Sequence, residues 1–163
     1  MQEKFLVLGG GGMIGRQVVH EIAGRLRPQW ILVASRYQKE VRQALKNFRR
    51  EFPHVHFLGS WGDVFLRAEW NSQEHRMQRP RSEVLKEPGR RAAIYEDIFG
   101  DFGRAYEGSQ LVRLILEHRP DVVVDCVNTA TGISYQDVYT ASAGAKLRVE
   151  ALNAAVAADG GAG

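Results

Sequence analysis

Residues 4–15 are KFLVLGGGGMIG, an apolar run followed by four glycines, and this stretch determines the predicted fold. Continuous apolar runs of this length are typical of strands buried in the centre of a parallel sheet. From Met13 to Leu26 apolar residues recur at helical spacing, and Pro28 ends the pattern. The stretch therefore predicts a strand, a tight glycine turn and a helix.

The same alternation continues along the rest of the chain. Further strands are predicted at residues 30–34, 55–58 and 121–127, and further helices at residues 39–52, 106–118 and 135–158. Strands that alternate with helices favour a parallel sheet covered on both faces. We therefore expect an α/β fold, a Rossmann-like doubly wound sheet of about four strands in three αβα layers.

The glycines satisfy G-x-G-x-x-G from Gly10 and G-x-x-G-x-x-G from Gly9. A motif of this kind between a strand and a helix is typical of dinucleotide binding, because glycines permit a tight turn and a close approach of backbone N–H groups to phosphate. The alternative is a glycine turn that binds no ligand. The predicted pyrophosphate-binding residues are Gly9, Gly10, Gly11, Gly12, Met13, Ile14 and Gly15.

The second predicted strand ends in Ala34-Ser35-Arg36, with no acidic residue. NAD-binding domains usually place Asp or Glu here, about 20 residues after the glycines, to bind the ribose 2′-hydroxyl. Arg36 instead offers donors that match a 2′-phosphate, and Ser35 can add a hydroxyl donor. Arg16 follows the motif and can lie near the same pocket. NADP is therefore the predicted cofactor and NAD the less favoured one, unless Arg36 is simply a solvated residue at a strand end.

Residues 64–103 interrupt the alternation and are rich in Arg, Glu, Gln, Pro and Gly. We expect them to form an insertion after the third strand, with short helices near residues 83–86 and 92–99. A length of 163 residues suits one domain, so residues 1–163 are predicted to be a single NAD(P)-binding Rossmann domain. Four strands leave an uncovered sheet edge, which favours the N-terminal part of a longer chain or a homo-oligomer.

Composition narrows the class of protein. The chain has 44% hydrophobic and 25% charged residues, which is ordinary for a soluble globular protein, and no apolar run approaches the roughly 18 residues of a membrane span. The N-terminus lacks the order of regions found in a signal peptide. Cys126 is the only cysteine, so disulfides within the chain and cysteine-based zinc sites are excluded, and a cytoplasmic location is predicted.

Nucleic acid and metal ions are not expected partners. The net charge of +3 is mild, and no aromatic residue interrupts the basic stretch between His75 and Arg91, which favours a solvated insertion. His54 and His56 share one face of a strand without further matched ligands, so no metal site is predicted. Cys126 lies in an apolar strand and is expected to be a small buried residue.

With these motifs the chain resembles the extended short-chain dehydrogenase/reductase superfamily, which includes sugar-nucleotide epimerases and dehydratases, over its whole length except the insertion. Beside the glycine motif, three segments carry the resemblance: Gly62-Asp63-Val64, the Arg119-Pro120-Asp121 turn before the fourth strand, and Cys126-Val127-Asn128-Thr129-Ala130. The resemblance implies that Asp63 and Val64 contact the adenine, and that Asn128, Thr129 and Ala130 lie beside the cofactor. The alternatives are that Asp63 caps the next helix and that Asn128 and Thr129 only satisfy backbone groups at a strand end.

The chain departs from this family in one respect. Its members use a Tyr-x-x-x-Lys helix, in which Lys lowers the pKa of the catalytic tyrosine. No tyrosine here precedes a lysine by four residues: Tyr135 is followed at that spacing by Tyr139, and Tyr139 by Ala143. The catalytic residues are therefore unknown, and the sequence names no substrate.

Three functional hypotheses follow. The first is the NADP(H)-binding domain of an oxidoreductase or epimerase/dehydratase that transfers hydride to or from a carbon bearing a hydroxyl or carbonyl group. Its small-molecule substrate would lie near residues 128–135, and its catalytic Tyr and Lys would come from sequence outside this chain. The alternative is a non-catalytic NADP-binding module that regulates a partner, or an interaction domain that has lost its ligand.

Overall fold

The computed structural model describes residues 3–71, 86–127 and 136–159. They belong to two compact units, residues 1–127 and residues 128–163. Within the described ranges no helix has both the length and the apolar composition needed to cross a membrane.

The first unit is built on a parallel sheet of four strands, β1 (Lys4–Leu8), β2 (Trp30–Ser35), β3 (His56–Trp61) and β4 (Val122–Asp125). Their order in the sheet is β3-β2-β1-β4. The chain therefore moves outward from β1 through β2 to β3 and then returns to the other side of β1. The carboxyl ends of β1 and β4 flank the point where this direction reverses, which is where doubly wound sheets bind ligands.

The helices connect these strands and extend the chain beyond them. In chain order they are α1 (Met13–Leu26), α2 (Gln38–Glu51), a short 3₁₀ helix (Ala68–Asn71), α3 (Pro88–Phe99), α4 (Phe102–Gly108), α5 (Gln110–His118) and α6 (Gln136–Asp159). All of these precede β4 except α6, which lies in the second unit.

Successive residues of β1 enter different cores, because side chains alternate between the two faces of a strand. Phe5 and Val7 pack with the buried faces of α1 and α2. Leu6 and Leu8 pack with Leu114 of α5 on the opposite face. Both faces of the sheet are therefore covered by helices, and the predicted Rossmann-like α/β fold is confirmed.

A charged contact attaches α3 to the start of the insertion. The Arg67 guanidinium donates two hydrogen bonds to Asp97, from Nε at 2.8 Å and from Nη2 at 2.7 Å. This bond is the largest cause that raises the pKa of Arg67 above its ordinary value. Arg67 also bridges to Ser109 through the backbone, and its guanidinium lies 5.5 Å from the ring centre of Trp70. A bidentate pair of this kind fixes orientation as well as proximity.

Several predicted boundaries were wrong. The helix predicted at residues 106–118 is two helices, because Ser109 interrupts it and its hydroxyl accepts the Val112 N–H at 3.3 Å as the N-cap of α5. The third strand continues to Trp61 instead of ending before Gly59, since Gly59 stays in the strand and makes room for Val41 and Leu45 of α2.

The remaining differences are smaller. The fourth strand covers only Val122–Asp125, and α3 begins at Pro88, four residues before the predicted helix at residues 92–99. Proline suits the first turn of a helix, where its missing N–H has no partner to lose. The predicted helix near residues 83–86 lies almost entirely outside the described residues.

The core predicts a sharp contrast between two leucines. Leu6 is 0% exposed at the centre of β1, so Leu6→Ala is expected to lower the free energy of unfolding by about 2–5 kcal/mol. Leu116 is 58% exposed, and Leu116→Ala is expected to change it by less than about 0.5 kcal/mol. Urea denaturation followed by circular dichroism measures both, and equal losses would contradict this assignment of the core.

Candidate functional site

The glycine loop, Gly9 to Gly12, joins β1 to α1 at the carboxyl edge of the sheet. Gly9 has a φ of +73°, and a Cβ atom there would lie 2.9 Å from the carbonyl oxygen of Cys126, just after β4. The loop therefore sits between the ends of β1 and β4. This is the reversal point of the sheet, where doubly wound folds bind ligands.

Close packing explains the last glycine of the motif. A Cβ atom on Gly15 would lie 2.7 Å from the Cα of Gly10, a separation that side-chain carbons do not tolerate. Gly10 itself is held to the sheet, because its N–H donates to the carbonyl oxygens of Val7 at 3.3 Å and Ala34 at 3.0 Å. The first turn of α1 thus rests directly on the loop.

Gly11 is hydrogen-bonded through both of its backbone polar groups. Its N–H donates to the Ser35 hydroxyl oxygen at 2.8 Å, and its carbonyl oxygen accepts from Arg16 Nε at 2.6 Å. Ser35 is buried at the end of β2, and its backbone carbonyl accepts the Gly62 N–H at 3.1 Å. Ser35 therefore connects the glycine loop to the turn after β3.

The N-terminus of α1 is open to solvent. Gly12 is its N-cap residue and makes no side-chain hydrogen bond, while Met13 and Ile14 are 88% and 57% exposed. The first N–H groups of a helix have no partner within the helix and carry its partial positive charge. This end of α1 is therefore suited to an anion such as a diphosphate.

Two charged residues of opposite sign lie near the end of β2. Arg36 is exposed, and its guanidinium lies 5.5 Å from the ring centre of Tyr37. Glu40, in the first turn of α2, comes close to the loop, because a Cβ atom built on Gly11 would lie 3.2 Å from the Glu40 Cβ. Sequence reasoning missed Glu40, since it sought an acid at the strand end itself and not one helical turn later.

Asp63 and Val64 lie in the turn after β3. The Asp63 carboxylate accepts the Phe65 N–H at 3.1 Å, while Val64 packs against the core on the α5 side of the sheet. Asn71 was also missed from the sequence. It is buried, its Oδ1 accepts the Asp63 N–H at 2.8 Å, and its Nδ2 donates to the Asp63 carbonyl oxygen at 2.9 Å.

Gly62 makes this turn possible. Its φ is +141°, and a Cβ atom on it would lie 2.7 Å from Asn71 Oδ1. Positive φ together with a nearby amide oxygen requires glycine. The turn is therefore held by Asn71 beside the end of β2, and it brings Asp63 to the same edge of the sheet as the glycine loop.

The end of β4 completes the described part of the site. The Cys126 N–H donates to the carbonyl oxygen of Leu8 at 2.9 Å, and its side chain packs partly buried against the core on the α1 side. Burial, reinforced by the neighbouring charge of Asp125, raises the pKa of the Cys126 thiol. Asn128, Thr129 and Ala130 lie outside the described residues.

The site as described can bind and orient an anionic ligand. Its glycines shape the loop, α1 supplies N–H groups and positive potential, and Arg36 supplies a cation at the strand end. Across the described ranges, no group of three or more His, Cys, Asp or Glu residues is arranged to hold a metal ion.

Comparisons with known proteins add little to this geometry. No protein-family model matches the chain, and no curated protein matches it. Among solved structures, it is similar to the bulky-bulky ketone specific alcohol dehydrogenase from Comamonas testosteroni in a tetragonal crystal form, with a TM-score of 0.35 and 13% sequence identity. The match covers 75% of this chain and 72% of that chain. No family assignment follows from a likeness of this extent.

Two glycines of α1 provide a matched pair for testing the loop. Gly15→Ala is expected to lower the free energy of unfolding by at least about 1–3 kcal/mol, because the added carbon overlaps the loop backbone. Gly24→Ala meets nothing nearer than 3.6 Å and is expected to raise stability by up to about 1 kcal/mol. Urea unfolding of both variants measures the difference, and a neutral Gly15→Ala would contradict the close packing.

Cys126 is expected to react slowly with iodoacetamide near neutral pH. Burial and Asp125 raise its pKa, so the reactive thiolate forms only at higher pH than in an ordinary thiol. Rates measured by mass spectrometry should keep rising with pH after the rate for glutathione has levelled off. A rate that levels off at lower pH than that of glutathione would contradict this assignment.

Proposed function

We propose that this chain binds a nicotinamide dinucleotide at the glycine loop and prefers NADP(H) to NAD(H). The observation that carries the proposal is the loop itself, at the reversal point of a Rossmann-like sheet, leading into the uncapped N-terminus of α1. A diphosphate carries the charge that this helix end favours. The remaining parts of the ligand would then extend along the carboxyl edge of the strands.

The proposed fit of the loop to a diphosphate depends on the absence of side chains from its glycines. Side chains on Gly10 or Gly15 would come too close to the backbone or to side chains of the sheet. The loop therefore packs as closely against the sheet and α1 as the fold allows. This close packing leaves room for phosphate oxygens at the first turn of α1. Met13 and Ile14 would border that space with apolar side chains.

Arg36 is the residue proposed to select the 2′-phosphate of NADP(H). It lies one residue beyond β2, where the adenosine ribose is expected, and its guanidinium is exposed and available to a phosphate. Glu40 works in the opposite direction, because a carboxylate near the loop repels a 2′-phosphate. The preference for NADP(H) is thus proposed as the balance of these two charges.

The proposed reaction class comes from the resemblance in the glycine motif, in Asp63 and in the Pro120-Asp121 segment. It is an oxidoreductase or an epimerase/dehydratase of the short-chain dehydrogenase type, acting on a small molecule that bears a hydroxyl or carbonyl group. The nicotinamide would supply or accept hydride there. The part of this chain in that chemistry is to bind and orient the dinucleotide, with the catalytic Tyr and Lys supplied from sequence outside it.

A second candidate is a binding module that senses or regulates through NADP(H) without catalysis. The observation that favours it is the absence from these 163 residues of any tyrosine followed four positions later by lysine. Turnover of candidate alcohols and ketones by the protein expressed from its whole gene distinguishes the two. Nucleotide binding without any turnover would favour the module.

Replacing Arg36 tests the cofactor preference. Arg36→Ala is expected to weaken NADPH binding by about 1.5–3 kcal/mol, the contribution of a charge-assisted hydrogen bond, while NADH binding stays within about 0.5 kcal/mol. Arg50→Ala, at the far end of α2, is the control and should change neither affinity. Glu40→Gln is expected to strengthen NADPH binding selectively. Isothermal titration calorimetry measures all four proteins.

The outcomes separate clearly. Equal affinity of the unaltered chain for the two nucleotides, or tighter binding of NADH, contradicts the NADP(H) preference. Binding of neither nucleotide contradicts the proposed function altogether.

A further inference from the structure

We propose that Ser35 and Arg16 are positioning residues that hold in place the two peptide groups on either side of Gly11, and so support binding of the diphosphate that NAD(H) and NADP(H) share. The inference about affinity rests on the proposed function. It assigns Ser35 a role other than direct contact with the 2′-phosphate. Selection between the nucleotides is then left to residues outside this pair.

The position of Ser35 favours this role. Only 6% of the residue is exposed, and its hydroxyl oxygen accepts the Gly11 N–H at 2.8 Å. A Cβ atom on Gly11 would lie 2.7 Å from that oxygen, so the loop backbone lies directly on the serine. A ligand phosphate has no room between the Ser35 hydroxyl and the Gly11 backbone. The hydroxyl therefore bonds to the loop and not to the ligand.

Arg16 holds the next peptide group, the one between Gly11 and Gly12. Its side chain turns back from the first turns of α1, and Nε donates to the Gly11 carbonyl oxygen at 2.6 Å. The donor is charged, which makes this bond stronger than one between neutral groups. With the Gly11 N–H directed to β2 and the Gly11 carbonyl directed to α1, the two peptide groups that flank the Gly11 Cα are each held in one orientation.

This orientation determines which N–H groups remain for an anion. The N–H of Gly10 donates to Ala34, that of Gly11 to Ser35, and that of Gly12 to the Gly9 carbonyl oxygen at 2.8 Å. The N–H groups of Gly10, Gly11 and Gly12 are therefore all engaged within the chain. The N–H groups at the start of α1, from Met13 onward, are then the ones that face a diphosphate.

Loss of either bond would let the loop shift relative to α1. A shifted loop affects the diphosphate, which both nucleotides have, and leaves the 2′-phosphate contact unchanged. Removing a hydrogen bond of this kind is expected to weaken the binding of NADPH and of NADH by about tenfold each. The ratio of the two affinities should stay constant, in contrast to the effect of replacing Arg36.

Ser60 provides a matched control. It pairs in register with Ala34 near the end of β3, is 3% exposed, and within the described ranges its hydroxyl has no hydrogen-bond partner. Ser60→Ala thus removes a buried hydroxyl from a neighbouring strand without touching the loop. Ser35→Thr is the rescue variant, because it keeps a hydroxyl at the same position.

The experiment combines two measurements on the 163-residue chain. Amide hydrogen exchange at Gly11, followed by NMR without nucleotide, reports on the loop directly. Titrations with NADPH and with NADH report on binding. Ser35→Ala should speed exchange at Gly11 by about tenfold and weaken both nucleotides equally, Ser35→Thr should restore both properties, and Ser60→Ala should change neither. Arg16→Met changes a residue on the exposed surface and should weaken the binding of both nucleotides equally. It therefore tests the proposal even if Ser35→Ala folds poorly.

Two results would overturn the inference. One is Gly11 exchange that Ser35→Ala leaves unchanged. The other is a selective loss of NADPH affinity in Ser35→Ala or Arg16→Met, which would place the side chain on the 2′-phosphate. If the unaltered chain binds neither nucleotide, the proposed function fails, and the exchange rate at Gly11 still decides whether Ser35 holds the loop.

Discussion

The first unit depends on one steric constraint, the contact of Gly15 in α1 with the backbone of Gly9 and Gly10. Because no side chain separates them, the helix starts directly above the end of β1 and its apolar face reaches Phe5 and Val7 in the sheet. A helix held farther away would lose this packing. The same contact directs the N-terminus of α1 toward the carboxyl edge of the sheet. The packing of the core and the geometry of the candidate site therefore depend on the same contact.

Hydrogen bonds then connect the glycine loop and the end of β1 to the neighbouring strands. Ser35 receives the Gly11 N–H on its side chain and the Gly62 N–H on its backbone, and Cys126 donates to the end of β1. Three strand ends are thereby tied to one loop. Such a site is organised before any ligand arrives, which lowers the entropic cost of binding.

The fold was predictable from the sequence to the extent that it depends on local pattern. The apolar run before Gly9 and the helical spacing after Met13 are visible without coordinates, and so is the order of strands and helices. The break at Ser109 was missed because helical residues lie on both sides of it, at Phe102–Gly108 and Gln110–His118. The roles of Ser35, Glu40 and Asn71 depend on contacts between distant segments, which distance along the chain does not reveal.

The helix α3, inside the insertion, is held by different interactions from those that hold the sheet. It is attached to the earlier part of the insertion by the Arg67–Asp97 ion pair and by the stacking of Arg90 on Trp70, and it contains no fully buried residue. Attachment through charges weakens in salt, whereas apolar packing does not. Local opening of α3 is therefore expected to cost less free energy than global unfolding. Changes in its length or sequence can accumulate at little cost to the sheet that holds the glycine loop.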